Sequence, residues 1–174
     1  MKIYFATHST TIDNEAKLAS GWKDVELSKL GIQQAKDLGE RFKDIHIDLV
    51  CCSDLKRAVD TVQIAFENKI PIIFDKRLRE INYGDFNGKP TKTIEPTKRE
   101  KIEKSFLNGE SYKQAITRVQ NFYSELKKKY PDKTVLVVGH RATQYGLDTL
   151  IGGKTIEECL SIPFKWQPYW EYNF

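Results

Sequence analysis

Two of the three histidines in this 174-residue chain, His8 and His140, each stand just past an apolar run of strand character, Lys2 to Ala6 and Thr134 to Val138. A third such run, Ile47 to Cys51, leads into Ser53 to Arg57, and a fourth, Ile70 to Phe74, precedes Glu80. Two imidazoles, a guanidinium and a carboxyl are the parts of phosphoryl transfer through histidine. A neutral imidazole nitrogen is a competent nucleophile near neutral pH. An arginine at a helix start offers a planar fork to phosphate oxygens, and the N–H groups of that helix add to its field. A carboxyl group that holds a proton can hand it to the departing oxygen. His46 falls in a loop before a strand and reads as a surface residue.

Other chemistries find less support. There is no His-Glu-x-x-His, no Cys-x-x-Cys and no acidic cluster beside either strand-end histidine, so no metal is expected. Neither a Walker-type phosphate loop nor a Gly-x-Ser-x-Gly elbow occurs. No cofactor is expected.

These residues must be positioned by alternating strands and helices. A polar loop is expected from Thr7 to Ser20. Ser28 reads as the N-cap of a helix with Leu30, Ala35, Leu38 and Phe42 at helical spacing. Ser53 or Asp54 is expected to cap the next helix, through Leu55, Ala58, Val59, Val62 and Ala65. From Arg77 to Glu110, Gly84, Gly88, Pro90, Pro96 and Gly109 break the pattern, with a short helix expected near Lys98 to Phe106. Ser111 to Lys129 reads as a long amphipathic helix ending in a basic turn, and Ala142 to Ile151 as another. Trp166, Tyr169 and Trp170 are expected to pack the tail onto the sheet. The alternation predicts an α/β three-layer sandwich with a mainly parallel sheet. Ligands of such sheets bind beyond the carboxyl ends of the strands, the rim on which His8, Arg57, Glu80 and His140 all fall. One domain, 1–174, is expected, with a small insertion at about 85–110.

The formal net charge of +4 is scattered among acidic residues, so neither nucleic acid nor a membrane is expected as a partner. Three cysteines, two of them adjacent in an apolar run, suit a reducing compartment. Met1-Lys2 leads directly into the first strand with no leader pattern, so a cytoplasmic location is expected.

The segment Thr7-His8-Ser9-Thr10-Thr11-Ile12-Asp13-Asn14 resembles the Arg-His-Gly-Glu-Thr-x-x-Asn motif that opens the histidine phosphatase superfamily, also called phosphoglycerate mutase-like. His8, Thr11 and Asn14 match it. Gly21 to Ala35, Ser53 to Thr61, Leu78 to Gly88, Gly109-Glu110-Ser111 and Val138-Gly139-His140 are similar to later signatures, in family order. Two positions depart: the family's arginine is Thr7 here, and its glycine is Ser9.

The resemblance implies a phosphoglycerate mutase-like fold and a phosphomonoesterase acting on a small organic phosphate. It implies His8 as the residue phosphorylated, Arg57 and His140 as holders of the phosphoryl oxygens, and Glu80 as acid and then base. Asn14 is expected at the phosphate or the substrate, with Ser9 and Thr11 of the same motif beside it. Arg141 is read as the cation that replaces the one lost at Thr7. Two alternatives stand beside this reading: mutase-type transfer, and a module that binds phosphorylated ligands without turning them over. Oligomeric state is not readable.

Overall fold

The computed structural model describes residues 1–67 and 69–174. The chain runs β1 (Lys2–Thr7), α1 (Ile12–Glu15), β2 (Leu18–Ala19), α2 (Lys29–Phe42), β3 (Leu49–Cys52), α3 (Lys56–Phe66), β4 (Ile72–Phe74), β5 (Lys89–Pro90), α4 (Thr91–Ile94), α5 (Tyr112–Lys129), β6 (Thr134–Gly139), α6 (Arg141–Leu150), α7 (Ile156–Ser161) and β7 (Trp170–Asn173). The main sheet has the order β4-β3-β6-β1-β7. Its first four strands are mutually parallel, and β7 closes the edge antiparallel to β1.

Strands β1, β3 and β6 are nearly continuous apolar runs because both faces of the sheet are covered. Alternate side chains take opposite sides. Ile3, Phe5, Val135 and Val137 pack against Val119, Phe122 and Tyr123 of α5 and Leu147 of α6. Tyr4, Ala6, Leu136 and Val138 pack against Leu38 and Phe42 of α2 and Ala58, Val62 and Phe66 of α3. Each of the Val, Leu, Ile and Phe side chains among them contributes roughly 1.5–3 kcal/mol on burial. The expected three-layer sandwich with a mostly parallel sheet is the architecture observed. A third cluster packs Ile81, Ile94 and Phe106 against Tyr112, Ile116 and Tyr145 above the sheet's rim. Among the described residues, no helix is long and apolar enough to cross a membrane.

The register delivers the rim. Thr7 pairs with Gly139, so His8 and His140 leave adjacent strands level with one another. Cys52 pairs with Val138, which brings Ser53 and the start of α3 to the same end.

Several local expectations are corrected. The loop from Thr7 to Ser20 contains α1 and β2, because Thr11 and Asn14 form a reciprocal capping box. Ser28 does cap α2, but Leu30 is exposed; Gly31, Ala35, Leu38 and Phe42 form the buried face. Neither Ser53 nor Asp54 caps α3: Leu55 occupies that position, and Asp24 accepts from the Lys56 N–H at 3.1 Å. Strand β4 begins after Pro71, whose nitrogen has no hydrogen to give the ladder. The short helix near Lys98 to Phe106 is replaced by 3₁₀ turns at Glu95–Thr97 and Glu100–Ile102, since Ile102 and Phe106 alone cannot make a continuous apolar face. In the tail, Tyr169 packs on Tyr4 and Phe42 and Trp170 on Phe5, whereas Trp166 stays half exposed over Arg41.

Candidate active site

The loop leaving β1 is pinned by its backbone. The His8 N–H continues the ladder to the Gly139 carbonyl at 2.9 Å. The Ser9 N–H donates to Thr61 Oγ1 at 3.0 Å, and the Thr10 N–H to Gln34 Oε1 at 2.9 Å. Helix α2 reaches this loop through a glycine: a Cβ on Gly31 would lie 1.9 Å from the Thr10 carbonyl oxygen.

His8 Nδ1 lies 2.8 Å from the Ser9 carbonyl, which can only accept, so that nitrogen carries the hydrogen. The lone pair is therefore on Nε2, where the Arg57 Nε–H donates at 3.2 Å. Burial, and then the Arg57 charge, hold the His8 imidazolium down at about 3; the Ser9 carbonyl opposes this only in part. His8 is neutral at neutral pH, and the fold sets its lone pair on Nε2.

Arg57 is 2% exposed, and every hydrogen bond of its guanidinium ends on a neutral acceptor. These are His8 Nε2, the Lys23 carbonyl at 3.1 Å, the Gly21 carbonyl at 2.8 Å and His140 Nδ1 at 3.3 Å. Burial of a cation is costly unless an anion accompanies it. Because arginine only donates, His140 Nδ1 accepts and its Nε2 carries hydrogen. That Nε2 is buried and has no hydrogen-bond partner among the described residues. Burial, then Arg57, keep His140 neutral, and its ring centroid lies 5.0 Å from that of His8. A guanidinium without an anion and an N–H without an acceptor thus converge beside an imidazole lone pair. An oxyanion group would satisfy both donors.

Glu80 lies on a clamped segment. Arg118 Nη1 donates to the carbonyls of Arg77 and Arg79 at 2.7 and 2.8 Å, and Nη2 to that of Glu80 at 2.8 Å. Arg118 also pairs with Glu110 at 2.6 Å, and Glu110 accepts from the Asn82 N–H at 2.8 Å. Trp22 Nε1 adds a second donor to the Glu80 carbonyl at 2.7 Å. The Glu80 carboxylate sits over the start of α6, accepting from the N–H groups of Ala142 at 3.1 Å and Arg141 at 3.3 Å, as well as from its own neighbour Ile81. His140 immediately precedes that helix, so acid and imidazole share one support.

The structure brings His8, Arg57 and His140 together, with Glu80 alongside. Thr11, expected near the substrate, is fully buried and its hydroxyl caps α1. Asn14 is exposed, but its Oδ1 accepts from the Thr11 N–H, closing the same box. Ser9 is buried next to His8. Arg141 does not take the place of the arginine missing at Thr7. Its guanidinium is held by Gln144 at 2.7 Å and lies between the rings of Tyr145 and Phe164. It lines a groove of about 430 Å³ with Glu80, Tyr83 and Tyr112, and His8, Arg57 and His140 do not line that groove. Arg79, beside the acid, forms a two-bond pair with Asp54, both at 2.7 Å, and stacks on Trp22. Sequence reasoning missed Arg118, Trp22, Asp24 and Thr61. Their contacts are with residues remote in the chain; Trp22, Asp24 and Thr61 stood inside the matched segments Gly21 to Ala35 and Ser53 to Thr61 without a role being read for them, and Glu110 in the Gly109-Glu110-Ser111 motif was the hint of the clamp.

The sequence pattern of the histidine phosphatase superfamily (branch 1) matches residues 3–164. An uncharacterized phosphatase, PhoE, of Bacillus subtilis (strain 168) is 32% identical over 163 residues, which cover 88% of this chain and 83% of that protein. A 2,3-bisphosphoglycerate-dependent phosphoglycerate mutase of Streptococcus uberis is 41% identical over 95 residues, 51% of this chain and 41% of the mutase. A mycobacterial glucosyl-3-phosphoglycerate phosphatase in complex with VO3 superposes with a TM-score of 0.81 at 26% identity, covering 93% of this chain and 87% of that one. The chain belongs to the histidine phosphatase superfamily, branch 1.

Proposed function

We propose that this phosphoric monoester hydrolase works on a small organic phosphate by carrying the phosphoryl group on His8 Nε2. The phosphoryl oxygens displace Arg57 Nε from the lone pair and accept from the Arg57 guanidinium and His140 Nε2–H. The Nε2 lone pair then forms the N–P bond as the ester P–O bond breaks. Glu80, entering protonated, gives its proton to the leaving oxygen. Water next attacks phosphorus, Glu80 takes the water's proton, the N–P bond breaks, and inorganic phosphate leaves with Glu80 protonated again. The preorganised donors, buried in the fold, act where charge gathers.

The observation that carries this reading is a pair of groups beside His8: the buried Arg57 guanidinium, hydrogen-bonded to neutral acceptors only, and the buried His140 Nε2–H, with no partner among the described residues. The partial match to a mutase keeps transfer back to the substrate as the second reading. The test is turnover of p-nitrophenyl phosphate by the wild type and His8→Ala. The wild type is expected to release inorganic phosphate, and the variant to lose at least about a thousandfold in kcat. Interconversion of phosphoglycerates without phosphate release supports the mutase, and no turnover at all supports a binding module.

A further inference from the structure

The groove beside Glu80 contains a guanidinium that has no acidic partner among the described residues. Arg141 donates to Gln144 Oε1 at 2.7 Å and makes a long contact of 3.4 Å to the Ile162 carbonyl, both neutral acceptors. Its carbon lies 4.8 Å from the Tyr145 ring centroid and 5.0 Å from that of Phe164, so the rings hold it in one orientation. Lys98, the other cation of the groove, is paired with Glu95 at 2.8 Å.

Tyr112 is a second, independent observation. It is 1% exposed, lines the same groove, and its hydroxyl has no hydrogen-bond partner among the described residues. The Tyr83 phenol is a close polar neighbour. Buried polar atoms left unpaired are rare in folded proteins and mark places where something else binds. Both groups lie on the Glu80 side, where the departing half of an ester would sit, and away from the His8–Arg57–His140 cluster. Ile94, Leu160 and Phe164 supply apolar wall for a carbon skeleton between them.

We infer that the group esterified to the phosphoryl carries a second anion, a carboxylate or a further phosphate, which Arg141 binds while the Tyr112 hydroxyl donates to it or to an adjacent oxygen. This rests on the phosphatase reading of the adjoining site. It makes Arg141 a specificity residue for the leaving group.

Steady-state kinetics with phenyl phosphate, para-carboxyphenyl phosphate and the phenylene bisphosphate tests it. The wild type is expected to prefer one or both charged esters over phenyl phosphate by about ten- to a hundredfold in kcat/KM, chiefly through KM. The ester with the larger ratio identifies the anion. Arg141→Gln is expected to bring the ratio close to one, and Arg141→Lys to recover part of it. A wild-type ratio near one, or a ratio that survives Arg141→Gln, overturns the inference. Titration of the same three compounds into His8→Ala measures the preference without turnover. A binding ratio that depends on Arg141, found while the wild type hydrolyses none of the three compounds, refutes the phosphatase reading alone, and the absence of any such ratio refutes the anion site.

Discussion

At the centre of the site, what His8 can do is decided by two neighbours. The Ser9 carbonyl fixes the hydrogen on Nδ1, and Arg57 keeps the ring from gaining a second proton. The same Arg57 is the one guanidinium bonded to these imidazoles. The family's opening arginine is Thr7 here, and Arg141 is occupied in the neighbouring groove. A charge-assisted hydrogen bond contributes about 1.5–3 kcal/mol. Thr7→Arg is therefore expected to raise kcat/KM for p-nitrophenyl phosphate by roughly ten- to a few hundredfold, because each 1.4 kcal/mol is a factor of ten. An unchanged or lower value in a folded variant shows that the site does not use a second guanidinium. His8 and His140 were legible because histidine is scarce and both stand at strand ends, and Arg57 and Glu80 because each follows a strand that points to the same rim. The capping box of Thr11 and Asn14 was not, because a capping box and a ligand site place the same residue types at the same spacing.

Helices and loops here serve chiefly to hold side chains still. Glu80 lies on an irregular stretch after β4, and its backbone is fixed from α5 by Arg118. That residue binds three carbonyls and a carboxylate with one planar fork, which a lysine cannot reproduce. Arg118 is a positioning residue. Arg118→Lys is expected to lower kcat by about a hundredfold with a smaller change in KM, since a misplacement of about 1 Å costs that much. Equal loss in both parameters, or restoration of full kcat by lysine, contradicts this role; circular dichroism checks that the fold persists. Strands and the longer helices were readable from periodicity because burial enforces it. The cap of α3 was not, because it comes from Asp24, far away in the chain. The 3₁₀ turns between α4 and α5 were missed because their few buried residues pack on other elements instead of along a helix face.

For the molecule as a whole, the register of β1 on β6 joins groups from opposite ends of the chain, and it carries a stability cost. Unfolded histidines take up a proton near pH 6.5. Folded His8 does so only at about 3, and folded His140 well below its ordinary value. Between these limits the unfolded chain binds more protons, so stability falls as pH drops below about 6.5, by up to about 1.4 kcal/mol per unit for each histidine. The melting temperature is expected to fall from pH 6.5 to pH 5, with a shallower slope in His8→Gln. A flat profile, or an equal slope in the variant, contradicts the buried neutral pair. The parallel fold was legible from alternation alone; the antiparallel β7 was not, because an aromatic tail can pack on a sheet with or without joining it. The central claim concerns one covalent bond, and rapid quenching of the wild type during turnover of p-nitrophenyl phosphate, followed by peptide mass spectrometry in base, tests it most directly. A phosphoryl group on the peptide containing His8, lost in acid, is the expected result. Turnover with that peptide never modified, or with the phosphoryl group on another residue, contradicts the account.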